Sequence, residues 1–476
     1  MNFSSFEYIL CFLPVALIAV EILRHMGMRR GPQIAILVAS LCFYSASNAR
    51  NLAYLLASVV ANWGIAHWIS RSSEGRRKHA LQVGLVLNLV VLACLKYLTF
   101  LAGNLSALLR TRIEVPRLSF PLGISFYTLA QCMYLVDCYE GLVPASSFFD
   151  HVTFVTFFPY VISGPISRAK RIIPQFNKLN FGARPSSDTT ARAVLLFSIG
   201  LFKKVVLADA FAFAADYGFN GNIHHLSALE AWCFVSAYAC QLYFDFSGYS
   251  DMAVASAMFF GIEIPWNFDA PFRSTSIIEF WQRWHITLTQ FLATYLYTPI
   301  LRSFRQVNLR SATIATIVTM VIAGLWHGPA WTYVLFGTVH GVGLAINQFW
   351  RKKHMPALSD PICWLITAIL VDIGFVFFRA ADLPTSIIYL SRLVDYHQAF
   401  GTETFRAMRG AGIMVWLYVT AQVLGVAIIA RCKSSREMVR EFRPTWMTYA
   451  LTTACICASI VYLNSGVTKP FIYFAF

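Results

Sequence analysis

Residues 314–331 read IATIVTMVIAGLWHGPAW. The run from Ile314 to Trp326 carries no charge, and His327 follows it directly at a Gly-Pro break. The chain becomes apolar again beyond Trp331. Apolar runs that approach about 20 residues are typical of helices that cross a membrane. The stretch therefore predicts a membrane protein in which a histidine lies deep, where two apolar helices are interrupted.

The composition supports a membrane protein. Of the 476 residues, 57% are hydrophobic, 15% are aromatic and only 13% are charged. A soluble domain carries about 25% charged residues, so this chain could not cover a water-exposed surface. Disordered, collagen-like and disulfide-stabilised secreted proteins are excluded as well. The net charge of +15 indicates basic loops that set topology and contact anionic lipid, and no nucleic-acid partner is expected.

Apolar runs recur along the chain and predict an all-α polytopic membrane protein. They lie near 6–23, 32–47, 52–70, 80–103, 192–215, 228–244, 312–326, 329–350, 361–378, 411–430 and 445–463. Two further runs, at 118–139 and 147–165, are broken by Gly and Pro. We therefore expect roughly 10 to 13 membrane-embedded helices, several of them short or re-entrant, in a single domain of residues 1–476.

Basic clusters predict the topology. They follow the first and third runs and recur at 168–178 and 431–443. Cytoplasmic loops carry an excess of Lys and Arg, so all four clusters should be cytoplasmic. Counting spans then requires one run between 80 and 165 not to cross. The prolines and glycines at 121, 123, 164 and 165 point to the latter half of that region.

Two carboxylates, Asp245 and Asp251, lie in an apolar context with Tyr249 between them. An ionisable group inside a membrane segment is costly and indicates a functional site, here substrate binding. The structural alternative is that the carboxylates pair with Arg or cap broken helices. The sequence leaves both interpretations open.

A proline-rich turn at 265–272 precedes the aromatic, charged segment EFWQRWH at 279–285. Such a segment suits an interface or the wall of a polar cavity, which makes Trp281, Arg283 and Trp284 candidate substrate contacts. His285 ends the segment. It is either a structural histidine or part of a substrate passage.

The sharpest chemical signal is His327. Burial disfavours the charged imidazolium, so a deep imidazole should be neutral and able to accept a proton from a hydroxyl. His340, thirteen residues further on, is a candidate for a nearby wall. No spacing among His285, His327 and His340 supports a metal, so none is expected. Walker A, nucleophile-elbow and dinucleotide motifs are also missing from the sequence.

Short motifs occur in a fixed order along nearly the whole chain. They are FPLGISFY at 120–127, YLVD at 134–137, FPY at 158–160, SGPI at 163–166, 245–251, the Asn267-Phe268 turn, FWQRWH at 280–285, WHG at 326–328 and PFIYF at 470–474. These blocks resemble the membrane-bound O-acyltransferase family. More narrowly, they are similar to its bacterial branch of alginate O-acetylases and teichoic acid D-alanyltransferases.

The resemblance implies a ring of membrane-embedded helices around a central tunnel, with a catalytic core at about 118–345. It implies that His327 is catalytic, that His285 is the second histidine of the site, and that Arg168 lies near the donor side. No bound cofactor is implied; acetyl-CoA or another acyl thioester, free or on a carrier protein, is the donor substrate. The implied setting is the inner plasma membrane, with an extracytoplasmic partner protein that modifies polysaccharide.

In that reading His327 acts as general base on an acceptor hydroxyl that attacks the thioester. Oxyanion donors could be His285, Tyr249 or a backbone N–H near the Gly328-Pro329 break. Trp281, Trp284 and Trp326 would wall the tunnel against water. The alternatives are transfer of D-alanine or another acyl group from a carrier protein to teichoic acid, a polysaccharide or solute transporter, and a non-catalytic scaffold.

Overall fold

We describe the protein from a computed structural model. It describes residues 1–46, 48–116, 118, 120–221, 223–396, 425, 431–466 and 469–475. These residues form helices, turns and irregular segments, with no strand among them. The all-α fold of a polytopic membrane protein predicted from the sequence is confirmed. The predicted apolar run 411–430 lies outside the described residues, apart from position 425.

The helices are numbered here in chain order. The first nine are α1 (Leu13–His25), α2 (Gly31–Ser45), α3 (Ala49–Arg71), α4 (Glu74–Leu92), α5 (Leu98–Leu109), α6 (Ile124–Tyr139), α7 (Phe148–Thr156), α8 (Ala169–Asn180) and α9 (Ser187–Phe202). The following helices are α10 (Asp209–Asn220), α11 (Ala228–Met258), α12 (Ile277–Arg283), α13 (Ile286–Leu292), α14 (Thr298–Ser303), α15 (Leu309–His327), α16 (Trp331–Lys352), α17 (Asp360–Arg379), α18 (Leu383–Leu393), α19 (Ser435–Arg440) and α20 (Trp446–Asn464).

Six helical stretches of the described chain are long and apolar enough to cross a membrane. They are Glu7–His25, Ala49–Arg71, Glu74–Leu109, Leu309–His327, Asp360–Arg379 and Trp446–Asn464. The run predicted at 32–47 is the shorter apolar helix α2. The runs at 192–215, 228–244 and 329–350 are helical but do not meet the combined criteria of length, mean hydropathy and charge.

The two Gly- and Pro-broken runs do not form continuous spanning helices. In the 118–139 run, α6 begins only at Ile124, after the break at Pro121 and Gly123. In the 147–165 run, α7 has 9 residues, which extend about 14 Å against a hydrocarbon core of about 30 Å. This agrees with the prediction that part of the region between 80 and 165 does not cross.

The chain divides into two compact units, each built from several segments. The first contains 1–201, 249–266 and 446–452, and the second contains 202–248, 267–445 and 453–476. In the first unit, Gly123 has a positive φ of 77°, and a Cβ atom there would lie 2.6 Å from the carbonyl oxygen of Val161, so both the backbone angle and the close packing favour glycine. This close approach brings the FPLGISFY block against the segment that links the FPY and SGPI blocks.

In the second unit, α15 and α16 form a tightly packed helical pair. A Cβ atom on Gly324 would lie 2.1 Å from the carbonyl oxygen of Tyr333, and one on Gly337 would lie 2.2 Å from that of Met320. Small residues let membrane helices approach so closely that backbone packs against backbone. The pair therefore holds His327, at the end of α15, in a defined position.

Candidate functional site

His327 lies at the break between α15 and α16. Helix α15 begins with a reciprocal Asn308–Ser311 capping box, and it ends at His327 because Gly328 is extended (φ −165°) and Pro329 follows. A Cβ atom on Gly328 would lie 2.2 Å from the Tyr333 ring, so any other residue at this turn would displace that ring. The sequence Trp-His-Gly-Pro thus ends one helix and places the histidine at its last position.

The imidazole of His327 is enclosed by aromatic rings and is 5% exposed. Its centroid lies 5.0 Å from that of Trp326, 5.2 Å from Phe378, 5.8 Å from Phe336 and 6.0 Å from Tyr473. Such an enclosure excludes bulk water from the imidazole.

His285 lies at a second helix break. Helix α12 ends at Arg283, and His285 has left-handed backbone angles (φ 42°, ψ 53°) before α13 begins at Ile286. Left-handed angles in a non-glycine residue cost on the order of 1 kcal/mol and persist only where surrounding contacts enforce them. The enforcing contact is the 267–269 turn, whose Asn267 carbonyl oxygen accepts the Ile286 N–H at 2.8 Å.

The side chain of His285 is fully buried and has one hydrogen-bonding neighbour among the described residues. Its Nδ1 lies 3.3 Å from Oδ1 of Asn267, which also accepts the Thr287 hydroxyl at 2.6 Å. The ring meets Phe246 edge to face at 4.7 Å and lies 6.4 Å from Trp326. His285 and His327 are thus both in contact range of Trp326.

Asp245 forms a buried ion pair with Lys204, whereas the structural alternative from the sequence named an arginine; its role as a substrate contact stays a prediction. The Lys204 ammonium lies 2.5 Å from Asp245 and 3.5 Å from Asp209. Asp245 also accepts the backbone N–H of Ile472 at 2.7 Å, and the Lys204 ammonium donates to the carbonyl oxygen of Lys469 at 3.0 Å. These groups bind the C-terminal segment, whose Tyr473 packs near His327.

His340 is fully buried within the second unit. Its Nδ1 accepts the indole N–H of Trp281 at 3.3 Å, and its Nε2 faces Gly374, where a Cβ atom would come within 2.4 Å. The ring also lies 4.6 Å from Phe336, which contacts His327. His340 therefore supports the aromatic wall around His327 through Phe336.

The other aromatic and basic candidates of this unit pack beside that wall. Trp284 is buried against Phe268 at 5.1 Å and Phe280 at 5.4 Å. Arg283 is half-buried, forms an ion pair with Glu279 at 2.9 Å and donates to the carbonyl oxygen of Asp269 at 3.3 Å. These contacts fix the segment 279–285 that ends at His285.

Tyr249, Asp251 and Arg168 belong to the first unit. Tyr249 and Asp251 are buried on the last part of α11, and the Tyr249 ring lies 4.8 Å from that of Phe3. Arg168 is half-buried and directly precedes α8 with extended backbone angles. Their roles as substrate contacts stay predictions.

Sequence reasoning assigned no site role to Lys204, Asn267 or Tyr473. Lys204 lies inside a predicted apolar run, and a charge in such a run signals function or pairing. Asn267 and Tyr473 lie in blocks that the resemblance covers, but only the fold brings them beside His285 and His327. Together the arrangement offers two buried imidazoles in an aromatic chamber, which suits proton transfer to and from a hydroxyl.

Comparison with known proteins identifies the family of the chain. The model of the membrane-bound O-acyltransferase family matches residues 8–378. The chain is 33% identical to a peptidoglycan O-acetyltransferase of Helicobacter pylori, in an alignment that covers 100% of this chain and 97% of the relative. It is 34% identical to a probable alginate O-acetylase of Pseudomonas aeruginosa, over 90% of this chain and 81% of the relative.

A more distant similarity covers about half of the chain. A teichoic acid D-alanyltransferase of Streptococcus thermophilus is 32% identical over 50% of this chain and 59% of its own length. The family match includes both helix breaks and both buried histidines. Since the family model covers most of the sequence and one relative aligns along all of it, the chain belongs to the membrane-bound O-acyltransferase family and is an acyltransferase.

Proposed function

We propose that this acyltransferase is an O-acetyltransferase of the cell envelope. It moves an acetyl group from a thioester on the cytoplasmic side to a hydroxyl of an exported or cell-wall polysaccharide, directly or through an extracytoplasmic partner protein. The proposal is supported by the relatives that align along most of the chain, which are named as peptidoglycan and alginate O-acetylases. It places the protein in the inner plasma membrane, with acetyl-CoA or another acyl thioester as donor and no bound cofactor.

The observation that carries the proposal is the enclosure of His327 at the α15–α16 break. The imidazole is 5% exposed and ringed by Trp326, Phe336, Phe378 and Tyr473. A buried neutral imidazole is a competent general base at physiological pH, and its surroundings limit hydrolysis of the thioester.

The reaction in this site conserves atoms and charge. His327 takes the proton of the acceptor hydroxyl as its oxygen attacks the thioester carbonyl carbon. The tetrahedral intermediate collapses, the C–S bond breaks, and the leaving thiolate takes the proton back from the imidazolium. The products are an acetyl ester and a free thiol, and His327 returns to its neutral form. General-base assistance contributes about 10² to 10⁴-fold in rate.

A tunnel explains how substrates on opposite sides of the membrane meet. Phosphate groups of a donor such as coenzyme A cannot enter hydrocarbon at acceptable cost. A passage through the protein lets the acyl group reach His327 while its charged carrier stays in water. In this proposal the aromatic side chains around Trp281, Trp284 and Trp326 form the walls.

The second candidate is D-alanyl transfer from a carrier protein to teichoic acid. It is favoured by the similarity to the teichoic acid D-alanyltransferases, which covers about half of the chain. Both candidates use the same base, so they differ in the donor and the acceptor and not in the role of His327. Because the chain belongs to an acyltransferase family, an enzyme is favoured over the transporter and scaffold interpretations.

Transfer by the purified protein in lipid nanodiscs tests the proposal. Radiolabelled acetyl-CoA is supplied with fragments of peptidoglycan or alginate, and a parallel reaction supplies D-alanyl carrier protein with teichoic acid. We expect acetyl transfer by the wild type, a loss of at least about 10²-fold for His327→Ala, and no loss for His79→Ala, which alters an exposed histidine. Transfer of D-alanine without any transfer of acetyl would contradict the acetyl proposal in favour of the second candidate. Full activity of His327→Ala would contradict the assignment of His327 as the base.

A further inference from the structure

We propose that Asn267 is a positioning residue that holds His285 in the tautomer with its proton on Nδ1, so that Nε2 accepts a hydrogen bond from a bound substrate. The substrate group is an O–H or N–H donor. This inference rests on the proposed function for the identity of the substrate, but the tautomer itself does not depend on it.

The amide orientation of Asn267 follows from its contact with Thr287. The two side-chain atoms lie 2.6 Å apart, a distance that suits O–H···O and is shorter than N–H···O bonds, which cluster near 2.9 Å. The atom facing Thr287 is therefore the carbonyl oxygen, and the hydroxyl donates to it. An amide oxygen has no proton to give, so it can only accept from His285 as well.

The tautomer of His285 then follows. Its Nδ1 lies 3.3 Å from the same oxygen of Asn267. Two acceptors would repel each other at this distance, so Nδ1 carries the proton. In a neutral imidazole the other nitrogen is then unprotonated. Nε2 consequently offers an electron pair.

The backbone keeps this arrangement rigid. The Asn267 carbonyl oxygen accepts the Ile286 N–H at 2.8 Å, and the Asp269 N–H donates to the Arg283 carbonyl oxygen at 3.0 Å. These two bonds flank His285 and enforce its positive φ of 42°. Strained backbone angles of this kind concentrate where a side chain must be held for function.

The surroundings of His285 leave Nε2 available to a ligand. Within the described part of the chain this nitrogen has no hydrogen-bond partner, and the residue is fully buried. His285 lies outside the six candidate spans. Burial lowers the pKa of its imidazole to about 3, so the imidazole is neutral at physiological pH. A buried acceptor without a partner is unfavourable until a donor group from a substrate reaches it.

In this tautomer His285 cannot stabilise the oxyanion of the tetrahedral intermediate, so another donor must do so. A negative oxygen needs an N–H or O–H donor, and an unprotonated Nε2 repels it. His285 in this form orients a substrate O–H or N–H near the reacting atoms. A backbone N–H near the Gly328-Pro329 break or another hydroxyl then stabilises the tetrahedral intermediate.

Three variants separate positioning from mere packing. Asn267→Asp keeps an oxygen that accepts from Nδ1, and Asn267→Leu removes it at similar volume. Thr287→Val removes the hydroxyl that donates to the amide oxygen, which weakens the preference for the orientation with that oxygen toward His285. Thr338→Val is the matched control, because that hydroxyl donates to the Val334 carbonyl oxygen within α16 and, among the described residues, to no group of the site.

The tautomer is measured by solid-state NMR of the ¹⁵N-histidine protein in lipid, with the His285 signals identified by their loss in His285→Asn. We expect a protonated Nδ1 and an unprotonated Nε2 in the wild type, Thr338→Val and Asn267→Asp. We expect loss of the single tautomer in Thr287→Val and Asn267→Leu, with transfer lowered at least about 10-fold. A carboxylate beside the imidazole raises its pKa, so the acid limb of the pH profile should move to higher pH in Asn267→Asp.

The outcomes distinguish this inference from the proposed function. A proton on Nε2 in the wild type, or an unchanged tautomer in Asn267→Leu, would overturn the positioning role whatever the enzyme transfers. A protonated Nδ1 in a protein that transfers D-alanine and no acetyl would retain the positioning role and reject the acetyl donor. Normal transfer by Asn267→Leu despite a lost tautomer would overturn the acceptor role of Nε2.

Discussion

The glycine contacts between α15 and α16 yield the sharpest structural prediction. Replacing Gly324 or Gly337 by alanine places a Cβ atom 2.1 or 2.2 Å from a backbone carbonyl oxygen of the neighbouring helix. No rotamer change relieves either contact, because both partners are backbone atoms. The two helices must therefore separate.

The size of the separation can be worked out from these distances. Real Cβ contacts are essentially never under 3.0 Å, so Gly324→Ala requires a shift of about 0.9 Å. Overpacking of this kind costs about 1–3 kcal/mol. His327 lies less than one helical turn beyond Gly324, so it moves with α15. A misplacement of about 1 Å at a reacting group lowers the rate about 10²-fold.

The assay compares thermal unfolding in detergent with acyl transfer in nanodiscs. Gly64→Ala and Gly103→Ala are the matched controls, since a Cβ atom at either helical position meets nothing within 4 Å. Alanine at such open positions should be neutral or stabilising by about 0.5–1 kcal/mol. We expect Gly324→Ala and Gly337→Ala to lower both the melting temperature and the transfer rate, and the controls to lower neither.

A double variant adds a further check. Once one alanine has separated the helices, the second costs less, so the free energies of unfolding should not add. Wild-type stability and activity in Gly324→Ala would refute the close backbone packing described here. Lost stability with full activity would refute the link between this packing and the position of His327.

Two further predictions concern charged groups of the second unit. Lys204→Met should destabilise the protein by about 3–5 kcal/mol because it leaves Asp245 buried without its cation. In thermal unfolding, the double variant with Asp245→Asn should recover part of the lost stability. Equal stability of Lys204→Met and the wild type would contradict the pairing. The pKa of Glu437 is held below its usual range by the backbone N–H of Ser434 and by Arg273. The contribution of Glu437 to the docking of α19 should therefore be complete above about pH 4.3 and should be lost as the pH falls through the lowered pKa. Hydrogen exchange in α19, corrected for intrinsic rates, should become faster over that range. Unchanged protection at acid pH would argue against this role of Glu437.

Local pattern was sufficient for the membrane class and for the principal histidine. The helix ends at His327 because Gly328 and Pro329 follow it, and that signal lies within three consecutive residues. Gly and Pro in the sequence predict the interruption at 147–165 on the same basis, and α7 in the structure is too short to cross. Hydrophobic length and helix-breaking residues act locally, so a sequence displays them directly.

Partner choice required the tertiary structure. Asp245 pairs with Lys204 and with the backbone of Ile472, groups that lie 41 positions before it and 227 positions after it. The interaction of Asn267 with His285 likewise spans a turn and a complete helix. Periodicity carries no record of such distances, because the same carboxylate or amide could have met a substrate, a cation or a helix end. The sequence by itself therefore determined a helical membrane acyltransferase with a buried histidine at a helix break, and only the packing decided which polar groups hold that site in place.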